Sequence, residues 1–112
     1  MASIEHLISL TDPAYQQWLD VLDDDHGIDS GVVLYSRQTL PERNTTFEVA
    51  EYAPGYLMIG DDSGGYGFLL ACTSTPGPVF HSDLGSLQLD GFLHVADTFS
   101  EWRATGFSLP TT

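Results

Sequence analysis

At 112 residues the chain has the size of one domain and is long enough to bury a hydrophobic core without disulfides. Its hydrophobic fraction of 42% excludes a disordered chain, and no apolar run approaches the roughly 20 residues that cross a bilayer. Sixteen acidic residues, three arginines and no lysine give a formal net charge of −13, which disfavours nucleic acid and anionic lipid as partners and favours a basic one. The alternative is that the acidity serves only solubility.

The first predicted elements are helices. A short apolar pattern over residues 4–8 predicts a turn or two of helix. Asp12 and Pro13 then predict the start of a longer helix, because Asp caps free amide groups and Pro tolerates the first helical position. Gly27 is expected to end this helix. The apolar residues recur at spacings of three and four and predict one buried face: Tyr15, Trp18, Leu19 and Leu22.

A run of carboxylates, Asp23–Asp25, precedes the expected helix end. Carboxylates are unfavourable there because they face the negative end of the helix dipole. Three interpretations stay open: a solvated, frayed chain, an acidic patch for a partner, or a cation site that uses Asp23, Asp25 and Asp29. The spacing lacks the glycine and the terminal glutamate of an EF-hand loop.

The central prediction is a β-hairpin. Two apolar runs, Tyr56–Ile59 and Phe68–Ala71, flank an acidic, glycine-rich connector. Glycines supply the positive φ angles of a tight turn, so the runs are expected to pair as strands. Asp61 and Asp62 are expected to be exposed at the tip.

The remaining elements are short. Strands are predicted at Val32–Tyr35, Val79–His81, Leu87–Leu89 and Phe92–Val95. Proline predicts a short helix at 41–44, and a capping box at 98–101 predicts a last helix that ends at Gly106. This order predicts an α+β domain, with a mostly antiparallel sheet of short strands and helices at the N- and C-terminal ends.

The sequence offers little support for catalysis. The glycine-rich connector lacks a lysine and carries two carboxylates, which would repel a phosphate. His81, Ser82 and Asp83 are adjacent on a strand, so they cannot converge as a triad. A metal site or enzyme built on His81, Asp83 and His94 is a rival hypothesis, and Cys72 is expected to be buried in the core. We therefore expect no catalytic residue, no cofactor and no metal.

Several segments resemble one family. Pro54–Gly65 resembles the central motif of the SUKH superfamily, whose members include fungal cell-wall-synthesis regulators and bacterial toxin-immunity proteins. Glu42–Val49 resembles the short helix ahead of the motif, Gly77–Phe80 the strand after it, and Ala96–Trp102 the C-terminal segment. The similarity spans roughly Val33–Phe107.

The resemblance implies a single SUKH-like domain over residues 1–112 and a binding role without catalysis. In bacteria such proteins bind a cognate polymorphic toxin in the cytoplasm and block it. A charge of −13 complements the basic cleft of a nuclease toxin. The alternative is an intracellular regulatory or adaptor protein of the fungal type, with no toxin partner.

These considerations predict which residues contact the partner. The first set is at the hairpin and comprises Asp61, Asp62 and Tyr66, where an aromatic anchor is ringed by acids. The second is the acidic run Asp23, Asp24 and Asp25, with Asp29. A single cysteine and an N-terminus without a signal-peptide pattern predict a cytoplasmic protein.

Overall fold

A six-stranded sheet is the centre of the molecule, and each of its strands pairs antiparallel with its neighbour in the chain. The computed structural model describes residues 4–28, 30–72 and 77–109. The predicted hairpin forms the two middle strands, as expected. From β1 to β6 the strands are His26–Gly27, Val33–Leu34, Tyr56–Asp61, Tyr66–Ala71, Val79–Asp83 and Leu93–Ala96.

Helices precede, interrupt and follow the sheet along the chain. From α1 to α5 they are Ile4–Ser9, Pro13–Val21, Leu40–Thr46, Val49–Tyr52 and Phe99–Ala104, with a 3₁₀ helix at Leu89–Gly91. The predicted α+β fold, with an antiparallel sheet and helices at both ends, is confirmed. Within the ranges that the structure describes, no helix has the length and hydrophobicity required to span a membrane.

Helix α2 begins where the sequence predicts and ends earlier. The Asp12 carboxylate accepts a hydrogen bond from the Tyr15 amide at 2.9 Å, which is the expected cap. The helix ends at Val21, and Leu22 is already extended, so the expected end at Gly27 is wrong. An earlier end leaves the following carboxylates outside the helix.

The capping box of α5 forms with one change. The Thr98 hydroxyl accepts a hydrogen bond from the Glu101 amide at 3.0 Å. The Glu101 carboxylate, however, accepts from the amide of Asp97 at 3.1 Å. Gly106, with a φ of 77°, follows the last turn, and its amide donates to the Arg103 carbonyl at 2.9 Å, as a glycine after a helix end commonly does.

The strand predicted at Leu87–Leu89 is absent from the structure, which describes all three residues. Leu87 is buried in a loop, whereas Leu89 is 48% exposed and begins the 3₁₀ helix. The apolar alternation in this segment therefore reflects the burial of Leu87 and does not mark a strand. Strands β5 and β6 pair directly, which leaves no place between them for another strand.

Aromatic packing joins α2 and α5 to the sheet. The rings of Phe68 in β4 and Trp102 in α5 lie 4.6 Å apart, and those of Tyr15 in α2 and Phe99 in α5 lie 5.1 Å apart. All four side chains are almost completely buried. This close packing holds α2 and α5 against the sheet.

Asn44 in α3 continues the sheet where β2 stops. Its side chain accepts a hydrogen bond from the Met58 amide at 2.9 Å and donates to the Met58 carbonyl at 3.0 Å. The carboxamide thus gives β3 the two hydrogen bonds that a neighbouring strand would give. Asn44 is only 6% exposed, so the Met58 backbone has no access to water as a substitute.

Candidate partner-binding surface

The loop between β3 and β4 is held by the first of its two carboxylates. Asp61 accepts a hydrogen bond from the hydroxyl of the buried Tyr35 and another from the Ser63 amide at 2.9 Å. Burial, together with the hydrogen bond and charge of Asp61, raises the pKa of Tyr35, so its hydroxyl stays a donor. Asp61 therefore ties the hairpin to β2.

The second carboxylate, Asp62, organises the turn itself. One of its oxygens accepts hydrogen bonds from the amides of Gly64 at 2.8 Å and Tyr66 at 3.1 Å. The other lies 3.3 Å from Nε2 of His81. Partial burial opposes ionisation, but these hydrogen bonds outweigh it, so the pKa of Asp62 is lowered. The carboxylate remains charged.

These contacts correct the prediction that both carboxylates are exposed at the tip. The side chain of Asp62 is only 15% exposed, and Asp61 is half-buried. The reason is local: short carboxylates accept hydrogen bonds from amides two to four residues ahead, which turns them towards the loop backbone. The exposed part of the hairpin is formed by residues 63–66.

Tyr66 is the aromatic residue that the hairpin presents to solvent. It is 39% exposed, and its ring stacks on His81 at 4.8 Å with an angle of 20° between the planes. His81 is buried and also contacts the ring of Phe68 at 4.8 Å. The buried ring of His81 thus supports one face of Tyr66, as an interface anchor requires.

The acidic run 23–25 lies in the connection from α2 to β1, and its three members differ. All three are exposed, but only Asp25 is held by a distant backbone amide. One oxygen of Asp25 accepts a hydrogen bond from the Ser36 amide at 2.8 Å. Burial opposes ionisation of Asp25, and the hydrogen bonds of Ser36 and Thr39 outweigh it, so its pKa is lowered. Asp29 lies outside the described residues.

The hairpin loop and Asp25 contact the chain at opposite ends of the two-residue strand β2. The Ser63 hydroxyl in the hairpin loop donates to the Gly31 carbonyl at 2.8 Å, just before β2 begins. Asp25, in contrast, binds the Ser36 amide, which follows the other end of that strand. The two regions are therefore held by different contacts, and no side-chain hydrogen bond joins the hairpin loop to the described residues of the acidic run.

The residues of the rival metal or catalytic cluster do not converge. His81 contacts Asp62, as described above. His94 pairs instead with Asp97 at 2.7 Å, and the carboxylate of Asp83 accepts from the Gly85 amide at 2.7 Å. No group of three metal-ligating side chains is found in the described ranges. Cys72 is buried, as expected, and burial raises its pKa to about 12.

The three arginines of the chain are all engaged within it. Arg37 bridges Glu5 and Asp20, each at 2.6 Å. Arg43 pairs with its neighbour Glu42, and the guanidinium of Arg103 lies 4.9 Å above the ring of Trp18. Most of the acidic side chains that the structure describes therefore form no ion pair with an arginine or histidine.

The sequence did not indicate two residues that position this region. Tyr35 holds the hairpin loop through Asp61, and Asn44 binds the sheet edge at Met58. An asparagine inside a helix is a weak signal, since asparagine is a poor helix former that competes for backbone hydrogen bonds. Nothing in the pattern around Tyr35 indicates a contact with a carboxylate 26 residues later.

Comparison with known proteins gave no relative: no family model matches this sequence, and no curated protein matches it.

Proposed function

We propose that this chain is an immunity protein that binds a cognate toxin domain in the cytoplasm and blocks it. Its resemblance to the SUKH superfamily supplies the biological role. Binding, without any catalysed reaction, is the proposed mechanism, and a basic protein such as a nuclease is the proposed partner.

Uncompensated negative charge is the observation that carries the proposal. The formal net charge is −13, and the few cations pair inside the molecule. Like charges in a small fold repel one another and lower its stability. A basic partner removes this repulsion when it binds, and long-range attraction accelerates the encounter.

The exposed residues are the proposed contacts with the partner. Asp23 and Asp24 are free to meet a cation, since both are exposed, and Tyr66 offers a supported aromatic ring. Asp61 and Asp62 contribute to the electric field but support the loop, so their replacement would perturb the hairpin as well as the charge.

Co-expression tests the proposal. Where a large protein is encoded beside this gene, its C-terminal domain is expressed with and without this chain in a sensitive host. We expect killing without the chain and growth with it. Equal killing in both cultures would contradict the immunity function and would favour the regulatory or adaptor role.

A matched pair of variants tests the mechanism in the same assay. Asp23→Asn with Asp24→Asn removes two exposed charges, whereas Gln17→Ala with Gln38→Ala changes two exposed neutral side chains. We expect the first pair alone to lower the amount of toxin that is neutralised. The same protection from both pairs would exclude the acidic run as a contact.

A further inference from the structure

The structure contains a groove that none of the predicted contacts uses. It has a volume of about 360 Å³ and lies between the α3–α4 turn and the loop after β5. Phe47, Glu48 and Tyr52 line one side, and Leu84 and Leu87 line the other. Its volume is at the lower end of small-molecule sites, which suits a side chain better than a cofactor.

Neither carboxylate beside this groove forms an ion pair with the residues that the structure describes. Glu48 lines the groove, and Glu51 follows it by one helical turn in α4. A hydrogen bond with Glu48 and the charge of that group raise the pKa of Glu51, because two carboxyl groups held together resist ionising together. All three arginines bind other groups, so the chain supplies no guanidinium to this pair.

An aromatic face is also available in the groove. Tyr52 is 52% exposed, and it makes no ring contact with the aromatic residues that the structure describes. Phe47, by comparison, already lies beneath the guanidinium of Arg43 at 5.7 Å. A cation near the two carboxylates would therefore meet a free aromatic ring, and Leu87 supplies an apolar wall for its aliphatic stem.

A second groove provides a contrast. It has a volume of about 300 Å³ and lies between the end of α2 and residues 36–38. Its acidic residues include Asp20, but Arg37 lines it too and pairs with that carboxylate. A cation entering there would be repelled by the resident guanidinium. No arginine lines the groove beside Glu48, and the guanidinium of Arg43 lies over the ring of Phe47 and pairs with Glu42.

We propose that the groove beside Glu48 receives a lysine or arginine side chain of a basic protein partner, with the ammonium or guanidinium group between Glu48 and Glu51 and the stem against Leu87. This inference rests on the proposed function for the identity of the partner. It adds the site at which that partner is anchored, which lies outside both predicted contact sets.

A titration with a minimal probe tests the groove without any toxin. Isotope-labelled protein is titrated with Nα-acetyl-arginine amide and, separately, with the norleucine analogue, which has an aliphatic chain and no charge. We expect saturable amide shifts at Glu48–Tyr52 and at residues 84–88 with arginine alone. Shifts spread evenly over the acidic surface, or equal shifts with norleucine, would overturn the proposal.

Neutral variants make the test specific. Glu48→Gln and Glu51→Gln are each expected to lower the affinity for the arginine probe up to about five-fold, the effect of losing one exposed ion pair. Asp23→Asn removes the same charge elsewhere and should leave the affinity unchanged. An equal loss in all three variants would show that only the general field attracts the probe, and the groove would be excluded.

The two proposals fail separately. If wild-type protein binds the probe in the groove but does not protect against the toxin, the immunity function is wrong and the groove stands. If it protects and no probe shifts appear at Glu48–Tyr52, the groove is wrong and the immunity function stands.

Discussion

Asn44 shows how much the fold depends on one side chain. It supplies both hydrogen bonds of the Met58 backbone and donates to the Leu40 carbonyl at 2.9 Å. A helix and a strand are thereby joined through a buried amide. Removing it leaves an N–H and a C=O without partners in a site closed to water, which costs more than the hydrogen bonds themselves contribute.

Asn44→Ala is therefore expected to lower the free energy of unfolding by about 2–4 kcal/mol, since two buried groups lose their partners. Thr45→Ala is the control, because Thr45 is exposed in the same helix. Urea titration followed by circular dichroism measures both variants. Similar midpoints for Asn44→Ala and the wild type would contradict the role of this side chain.

The contribution of Asp62 to the stability of the protein depends on pH. Its pKa is lowered in the folded protein, where partial burial is outweighed by hydrogen bonds from Gly64, Tyr66 and His81. The folded state therefore binds fewer protons at this site than the unfolded chain does in the acid range. Its contribution to stability is complete above the ordinary carboxyl pKa and is lost as pH falls through the lowered value.

Asp62→Asn should consequently reduce stability at neutral pH by about 1–2 kcal/mol, the contribution of hydrogen bonds to a charged group. The difference from the wild type should shrink as the solution is acidified. Urea denaturation at several pH values between about 7 and about 3 measures this trend. A constant difference across that range would show that the Asp62 charge does not stabilise the loop.

At the scale of elements, the β2–β3 contact requires a glycine. A Cβ atom placed on Gly60 would lie 2.3 Å from the Val33 carbonyl oxygen, in the pairing that joins these strands. That distance is far below van der Waals contact, and a backbone atom cannot move aside as the end of a side chain can. Gly60 thus permits the hairpin to dock against β2.

Gly60→Ala should therefore destabilise the protein by about 1–3 kcal/mol, the usual cost of overpacking. Gly91→Ala is the matched control, because a Cβ at Gly91 meets nothing within 4 Å, and its effect should stay within about 0.5 kcal/mol. Thermal unfolding of both variants compares them. Equal effects would mean that the strand pairing tolerates a side chain.

The elements that could be predicted carry their signals in local chemistry. The capping aspartate of α2, the hairpin runs and the capping threonine of α5 each act over a few residues, so the sequence pattern was sufficient. Two of the failures depended on distant contacts, whereas the burial of Asp62 follows from amides two and four residues ahead. The Leu87–Leu89 pattern could not show that β5 and β6 pair directly, and exposure of Asp61 could not be judged without Tyr35.

Over the whole molecule, composition predicted the sign of the charge, and the structure shows how it is distributed. Arginines pair inside the fold, which leaves separate acidic regions at the run 23–24 and at the groove beside Glu48. The hairpin adds Tyr66 but little accessible carboxylate. The groove itself had no signal in the sequence, because its two sides come from segments about 40 residues apart.

The association rate of this chain with the proposed toxin partner, measured by stopped flow at increasing ionic strength, tests the central claim most directly. If binding depends on uncompensated negative charge, the rate should fall steeply between about 0.01 and 0.15 M salt, where the Debye length shortens from about 30 to 8 Å. Asp23→Asn with Asp24→Asn should make that dependence weaker. A rate that does not change with salt would contradict the account.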